Sequence, residues 1–121
     1  MRPLISVLLL IISFSTCAAD KSGNFAVWGV GKKSCFNYNK SKETGDYDAY
    51  KNFVMGYLTA VNYLTPDTYN FSGGMQITEI MEWLDDYCEL KGINSFELAL
   101  SDFLDAHKDK RYTSPPVVFG R

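Results

Sequence analysis

Residues 46–66 read DYDAYKNFVMGYLTAVNYLTP, and Tyr50, Phe53, Val54, Tyr57, Leu58, Val61 and Leu64 recur there every three or four positions. That period puts them on one face of an amphipathic helix. Asp46 is its expected N-cap, and the helix stops before Pro66. Gly56 inside it costs about 1 kcal/mol relative to alanine, which the close approach of a neighbour would explain. Ala60, four residues on, would complete that smooth helix-packing contact. The same spacing serves dimerisation in membranes, but this helix is too polar for a bilayer.

Two further helices follow from the same reasoning. In the run Met75 to Leu90, Ile77, Ile80, Met81, Leu84, Tyr87 and Cys88 share one side, and Glu79, Glu82, Asp85, Asp86 and Glu89 turn toward the other. Gly92 is expected to close it as a C-cap, with Trp83 as a packing residue. Asn94-Ser95-Phe96-Glu97 resembles a capping box and starts a last helix carrying Phe96, Leu100, Phe103 and Leu104. Lys108, Lys110 and Arg111 complement the dipole at its C-terminal end. Between Asn37 and Asp46 the chain is polar and turn-rich, so Cys35 lies before an exposed loop or at one end of a short helix. Phe25-Ala26-Val27-Trp28-Gly29-Val30 reads as an extended arm or edge strand that covers something. Pro115-Pro116 keeps the tail extended. The expected fold is all-α: a small disulfide-stapled bundle of three main helices, spanning 35–111, with an extended aromatic arm at 20–34 and an extended tail at 112–121.

The N-terminus supplies the compartment. Met-Arg-Pro, the apolar run Leu4 to Ile12 and small residues up to Ala19 form a secretory signal peptide over 1–19, cleaved after Ala19. The run is too short for an ordinary membrane helix, and no second one follows. Cys17 raises a lipoprotein reading, but Phe14 and Thr16 fit that pattern poorly. Cleavage leaves Cys35 and Cys88 as an even pair in an oxidising periplasmic or extracellular space, where a disulfide is the default. It would restrict the unfolded chain by roughly 4 kcal/mol.

Composition bounds the function. A chain of 121 residues with 46% hydrophobic content supports one small domain and excludes a multidomain enzyme. Loss of Arg2 with the signal leaves eleven basic against fourteen acidic residues, a formal charge of −3, so the basic footprint of a nucleic-acid binder is missing. No enzyme, cofactor or metal site is expected. His107 is the single histidine and reads as a solvated residue at a helix end. Asp85 and Asp86 are adjacent, point about 100° apart and read as a solvated acidic face. Ser72-Gly73-Gly74 lacks the context of a nucleophile elbow or a phosphate loop. Asn39-Lys40-Ser41 and Asn70-Phe71-Ser72 satisfy the glycosylation tripeptide, which matters only on a eukaryotic secretory route.

Aromatic residues carry more information. Phe25, Trp28, Phe36, Tyr38, Tyr47, Tyr63, Tyr69 and Phe71 lie outside or at the edges of the helical stripes. Exposed aromatics mark a protein or sugar contact, and Phe25, Trp28, Tyr63, Tyr69 and Phe71 are the candidates to bind a partner. The alternative is that arm and loop cover a small helical core.

One cysteine precedes a helix containing Gly56-Tyr57-Leu58-Thr59-Ala60, and Trp83-Leu84-Asp85-Asp86-Tyr87-Cys88 ends the next, before a turn and the Phe96-to-Leu104 helix. The cysteine placement and Asp86-Tyr87-Cys88 resemble the HdeA/HdeB acid-stress chaperones of the periplasm. That resemblance implies a disulfide-stapled bundle, a dimer or compact monomer, that loosens as carboxylates protonate and offers apolar helical faces to unfolding client proteins. Gly56-Tyr57-Leu58, Ile77-Thr78-Glu79-Ile80 and Trp83-Leu84 also resemble the Tai-type immunity proteins, periplasmic inhibitors of secreted cell-wall amidases. There the loop Thr65 to Gly74 or the aromatic arm would plug a toxin's active site. That family usually has a cysteine just before the loop proline and another near the C-terminus, and this chain has neither. A structural or adaptor role in the envelope fits the same residues.

Overall fold

The computed structural model describes residues 19–117, so most of the expected signal peptide, residues 1–18, and the end of the expected extended tail, residues 118–121, lie outside the described residues. Four helices build it: α1 (Cys35–Thr44), α2 (Tyr47–Leu64), α3 (Ile77–Leu90) and α4 (Phe96–His107). Short 3-10 turns, Gly29–Lys32 and Lys108–Lys110, flank them, and the described residues contain no β-strand beyond two isolated bridges. The bundle is therefore all-α and disulfide-stapled, with four helices where the periodicity indicates three.

The additional helix is α1, which begins at Cys35 in the polar segment where an exposed loop and a short helix were both open. Its sequence is polar because only one narrow side is used: Cys35, Tyr38 and Ser41 are buried, and the remainder meets water. Ser34 caps it by accepting from Asn37 N at 3.3 Å, and Gly45 ends it at φ +84°, a conformation glycine adopts without strain. The Ser41 hydroxyl donates back to the Tyr38 carbonyl at 2.5 Å, so its burial leaves no polar atom unpaired.

The core is aromatic at its centre. Tyr38, Tyr50 and Phe96 meet with ring centroids 4.6–5.1 Å apart, and Val54, Leu58, Ile80, Met81, Leu84, Leu100 and Phe103 surround them. The Cys35–Cys88 disulfide joins the first turn of α1 to the last turn of α3, with the two Cα atoms 4.8 Å apart. Beside it Cys35 N donates to the Asn94 carbonyl, Phe36 N to the Gly92 carbonyl and Phe96 N to the Lys33 carbonyl, at 2.7–2.9 Å. Gly92 thus receives the start of α1 and does not form the expected left-handed cap. Its φ is not positive, and α3 ends at Leu90 with Lys91 as the cap.

Three other expectations change. Asp46 stands at the N-cap position of α2, yet its side chain caps no backbone amide and accepts instead from the Thr44 hydroxyl. Gly56 and Ala60 are exposed, and a Cβ on Gly56 would meet nothing within 4 Å, so the close contact inferred there is absent within the chain. The glycine that receives a neighbour is Gly31, in the turn before α1: a Cβ there would overlap the Phe53 ring. Residues 20–34 are accordingly not extended throughout, because their last part coils and seats against α2 and α4.

Candidate functional site

A tyrosine whose ring packs into a core brings a hydroxyl that needs a partner. Here three such hydroxyls each find a carboxylate on another helix. Tyr38 of α1 donates to Asp85 of α3 at 2.5 Å, Tyr87 of α3 to Asp102 of α4 at 2.5 Å, and Tyr57 of α2 to Glu97 of α4 at 3.2 Å. The pairs run α1 to α3 to α4 to α2 and tie all four helices in one series. Asn94 adds a donor to the Tyr87 hydroxyl at 2.9 Å, and Lys42 reaches Asp85 at 2.7 Å.

The tyrosines register this setting. Burial, then the Glu97 carboxylate, pushes the Tyr57 phenol up to about 12. Burial and the Asp85 carboxylate push Tyr38 up strongly, and burial with the Asp102 hydrogen bond raises Tyr87. Each phenol stays a donor, and each carboxylate accepts a hydrogen bond that is strong only while the oxygen is charged. Asp85 is thus no bare solvated charge: its neighbour Asp86 is exposed, but Asp85 faces the α1–α3 seam.

A second feature lies on α2. Tyr57, Ala60, Val61, Leu64 and Thr65 line an open apolar groove of about 520 Å³ with Phe25 and Ala19 from the arm. Phe25 is thereby brought to the groove while keeping 60% of its surface exposed. Trp28 does not line it and is 83% exposed, so this part of the arm covers no core. Tyr63 is 88% exposed near the end of the same helix. Tyr69 and Phe71 stand apart in the following loop, where Tyr69 N donates to the Tyr112 carbonyl and Phe71 N to the Asn62 side chain. The five aromatic candidates therefore do not form one patch.

Trp83 occupies the α3–α4 seam. It stacks on Tyr87 and meets Phe103 edge-on, both at 5.4 Å, and borders a shallow cleft with Asp86, Leu90 and Lys91. His107 is packed here and not simply solvated: its ring lies 4.3 Å from Phe103 and 5.6 Å from Trp83, and Nδ1 is 2.8 Å from the Phe103 carbonyl.

Ser72 is buried and bonded to the Asn70 side chain in the turn that holds the loop against the tail, an arrangement with no base beside it. Among the described residues no group of three His, Cys, Asp or Glu side chains gathers to hold a metal, and no helix is long and apolar enough to cross a membrane. The arrangement is a bundle whose helix seams are bridged by tyrosine–carboxylate pairs, with an apolar groove beside Tyr57. The chain matches no protein-family model, no curated protein and no solved structure.

Proposed function

We propose that this is a small exported, non-enzymatic binding protein of the bacterial envelope, similar to the HdeA/HdeB chaperones, whose bundle loosens in acid and binds unfolded proteins. The observation that carries the reading is the series of tyrosine–carboxylate pairs across three helix seams. Protonating the carboxylates removes the charge that strengthens these bonds, together with the Lys42–Asp85 ion pair. The chain after Ala19 then keeps eleven Lys and Arg charges with no acidic counterpart and repels itself. The Cys35–Cys88 link survives acid and holds α1 to α3 in the opened state.

The test is light scattering from two unrelated aggregating proteins, taken to pH 2 and returned to neutrality with and without the oxidised protein. Suppression for both after acid exposure, and none in a mixture kept at neutral pH, is the expected result. Scattering unchanged by the protein counts against the reading.

The groove open at the surface of the folded bundle favours a second reading, an immunity protein that blocks a secreted cell-wall amidase. Tight binding of one such enzyme at neutral pH, without client suppression in acid, would select it.

A further inference from the structure

Tyr38, Tyr57 and Tyr87 each give their hydroxyl to a carboxylate, but Tyr50 does not. Its ring is 2% exposed and wedged at the centre of the core, 5.1 Å from Tyr38 and 5.0 Å from Phe96. The hydroxyl nevertheless takes no partner among the described residues and opens into a cleft of about 230 Å³ between α1 and the start of α2. A phenol so deeply held, with its polar end unspent, offers a donor and an acceptor to whatever enters that cleft.

The walls carry charges of both signs. Lys33, Asn37 and Lys40 follow one another at four and three residues, so they come to one side of α1 and line the cleft together. Among the described residues neither lysine meets a carboxylate, and the Lys40 ammonium lies 4.6 Å from the centre of the Phe36 ring. Where α1 gives way to α2 the wall is Asp46. Its carboxylate caps no amide and accepts only from the Thr44 hydroxyl, at 3.2 Å, so one oxygen is left free. Burial, then this carboxylate, raises the Tyr50 phenol, which keeps its proton and can donate.

We propose that the cleft binds a small zwitterion of the amino-acid class. Its carboxylate lies against Lys33, Asn37 and Lys40 and accepts from the Tyr50 hydroxyl, and its ammonium meets Asp46. An anion alone would be repelled by Asp46 and a cation alone by the lysines, whereas a ligand with both charges satisfies every wall. The space is below the range of about 300–1,000 Å³ that takes drug-sized ligands, which suits a free amino acid. Because the charged walls are open to water, binding is in the millimolar range. The site belongs to the closed bundle at neutral pH and does not depend on loosening in acid.

The test is a titration of the oxidised protein with alanine, followed through its backbone amide NMR signals at neutral pH. Alanine should move the amides from Lys33 to Tyr50 saturably and leave those near Leu84 and Leu100 in place. Acetate and methylammonium, added singly, should bind at least about tenfold more weakly. Tyr50→Phe removes a hydroxyl with no partner in the chain, so its urea midpoint should equal that of the parent while its affinity for alanine falls about tenfold. Asp46→Asn should bind alanine no better than acetate. Absence of a saturable shift with alanine, acetate binding as tightly as alanine, or unchanged alanine binding in Tyr50→Phe would each overturn the inference. A lowered urea midpoint in Tyr50→Phe would overturn it too, because the hydroxyl would then be spent within the fold.

Discussion

The Tyr38 hydroxyl and the Asp85 carboxylate meet at 2.5 Å, 47 residues apart in sequence, and Asp85 also takes the Lys42 ammonium at 2.7 Å. One carboxylate thereby binds the α1–α3 seam twice, beside the disulfide that closes it covalently. Removing the hydroxyl in Tyr38→Phe keeps the ring in the core and deletes one charge-assisted bond. Because Asp85 is partly open to water and retains Lys42, the expected loss is about 1.5 kcal/mol. Urea unfolding should show it as a lower midpoint at unchanged slope.

The disulfide closes a separation of 53 residues. On the chain-entropy model its loss costs about 4 kcal/mol, comparable to the whole net stability of a domain this small. Cys35→Ala with Cys88→Ala should therefore be mostly unfolded at 37 °C by far-UV circular dichroism, while the oxidised protein stays helical.

Alkali should open the same seams. A phenol whose folded-state pKa lies above its unfolded value of about 10 contributes stability in full below pH 10 and loses it as pH rises through the folded value. For Tyr57, at about 12, that window runs from pH 10 to pH 12, and Tyr38 and Tyr87 are shifted the same way. Phenolate absorbance of these residues should appear together with loss of helix above pH 10. In Tyr57→Phe the fall in stability between pH 10 and 12 should be smaller.

Gly73 sits at φ +62°, and a Cβ there would run into the Lys110 carbonyl. Gly73→Ala adds backbone strain to a clash with main chain, at an expected cost of about 2 kcal/mol. It should also release the Asn70–Tyr112 bridge, so limited proteolysis should cut the tail after Tyr112 faster than in the parent protein.

Much of this fold was legible in the residues. α2, α3 and α4 carry wide apolar stripes, and the two cysteines beyond the expected signal segment leave one pairing. α1 stayed one of two readings because a helix that buries only Cys35, Tyr38 and Ser41 has no stripe to read, and its stability comes from what those three side chains meet. Gly56 and Ala60 misled for a related reason: their spacing is that of a packing face, but Tyr50, Val54 and Leu58 set the rotation of α2 and turn the small residues to water. The latch residues were in view singly. Tyr57 and Tyr87 lay on apolar stripes, where a hydroxyl signals a need for a partner, but Glu97 and Asp102 are 40 and 15 residues further on and belong to no local pattern. Trp83 and His107 likewise meet only through the α3–α4 crossing.

The central claim is that ionised carboxylates hold the bundle closed. Near-UV circular dichroism and binding of a hydrophobic dye, followed on the oxidised protein from neutral pH to about pH 2, address it directly. The account predicts loss of the tertiary aromatic signal and dye uptake in acid, with helical far-UV signal retained and full recovery on neutralisation. A near-UV spectrum unchanged at pH 2, with no dye bound, would contradict it.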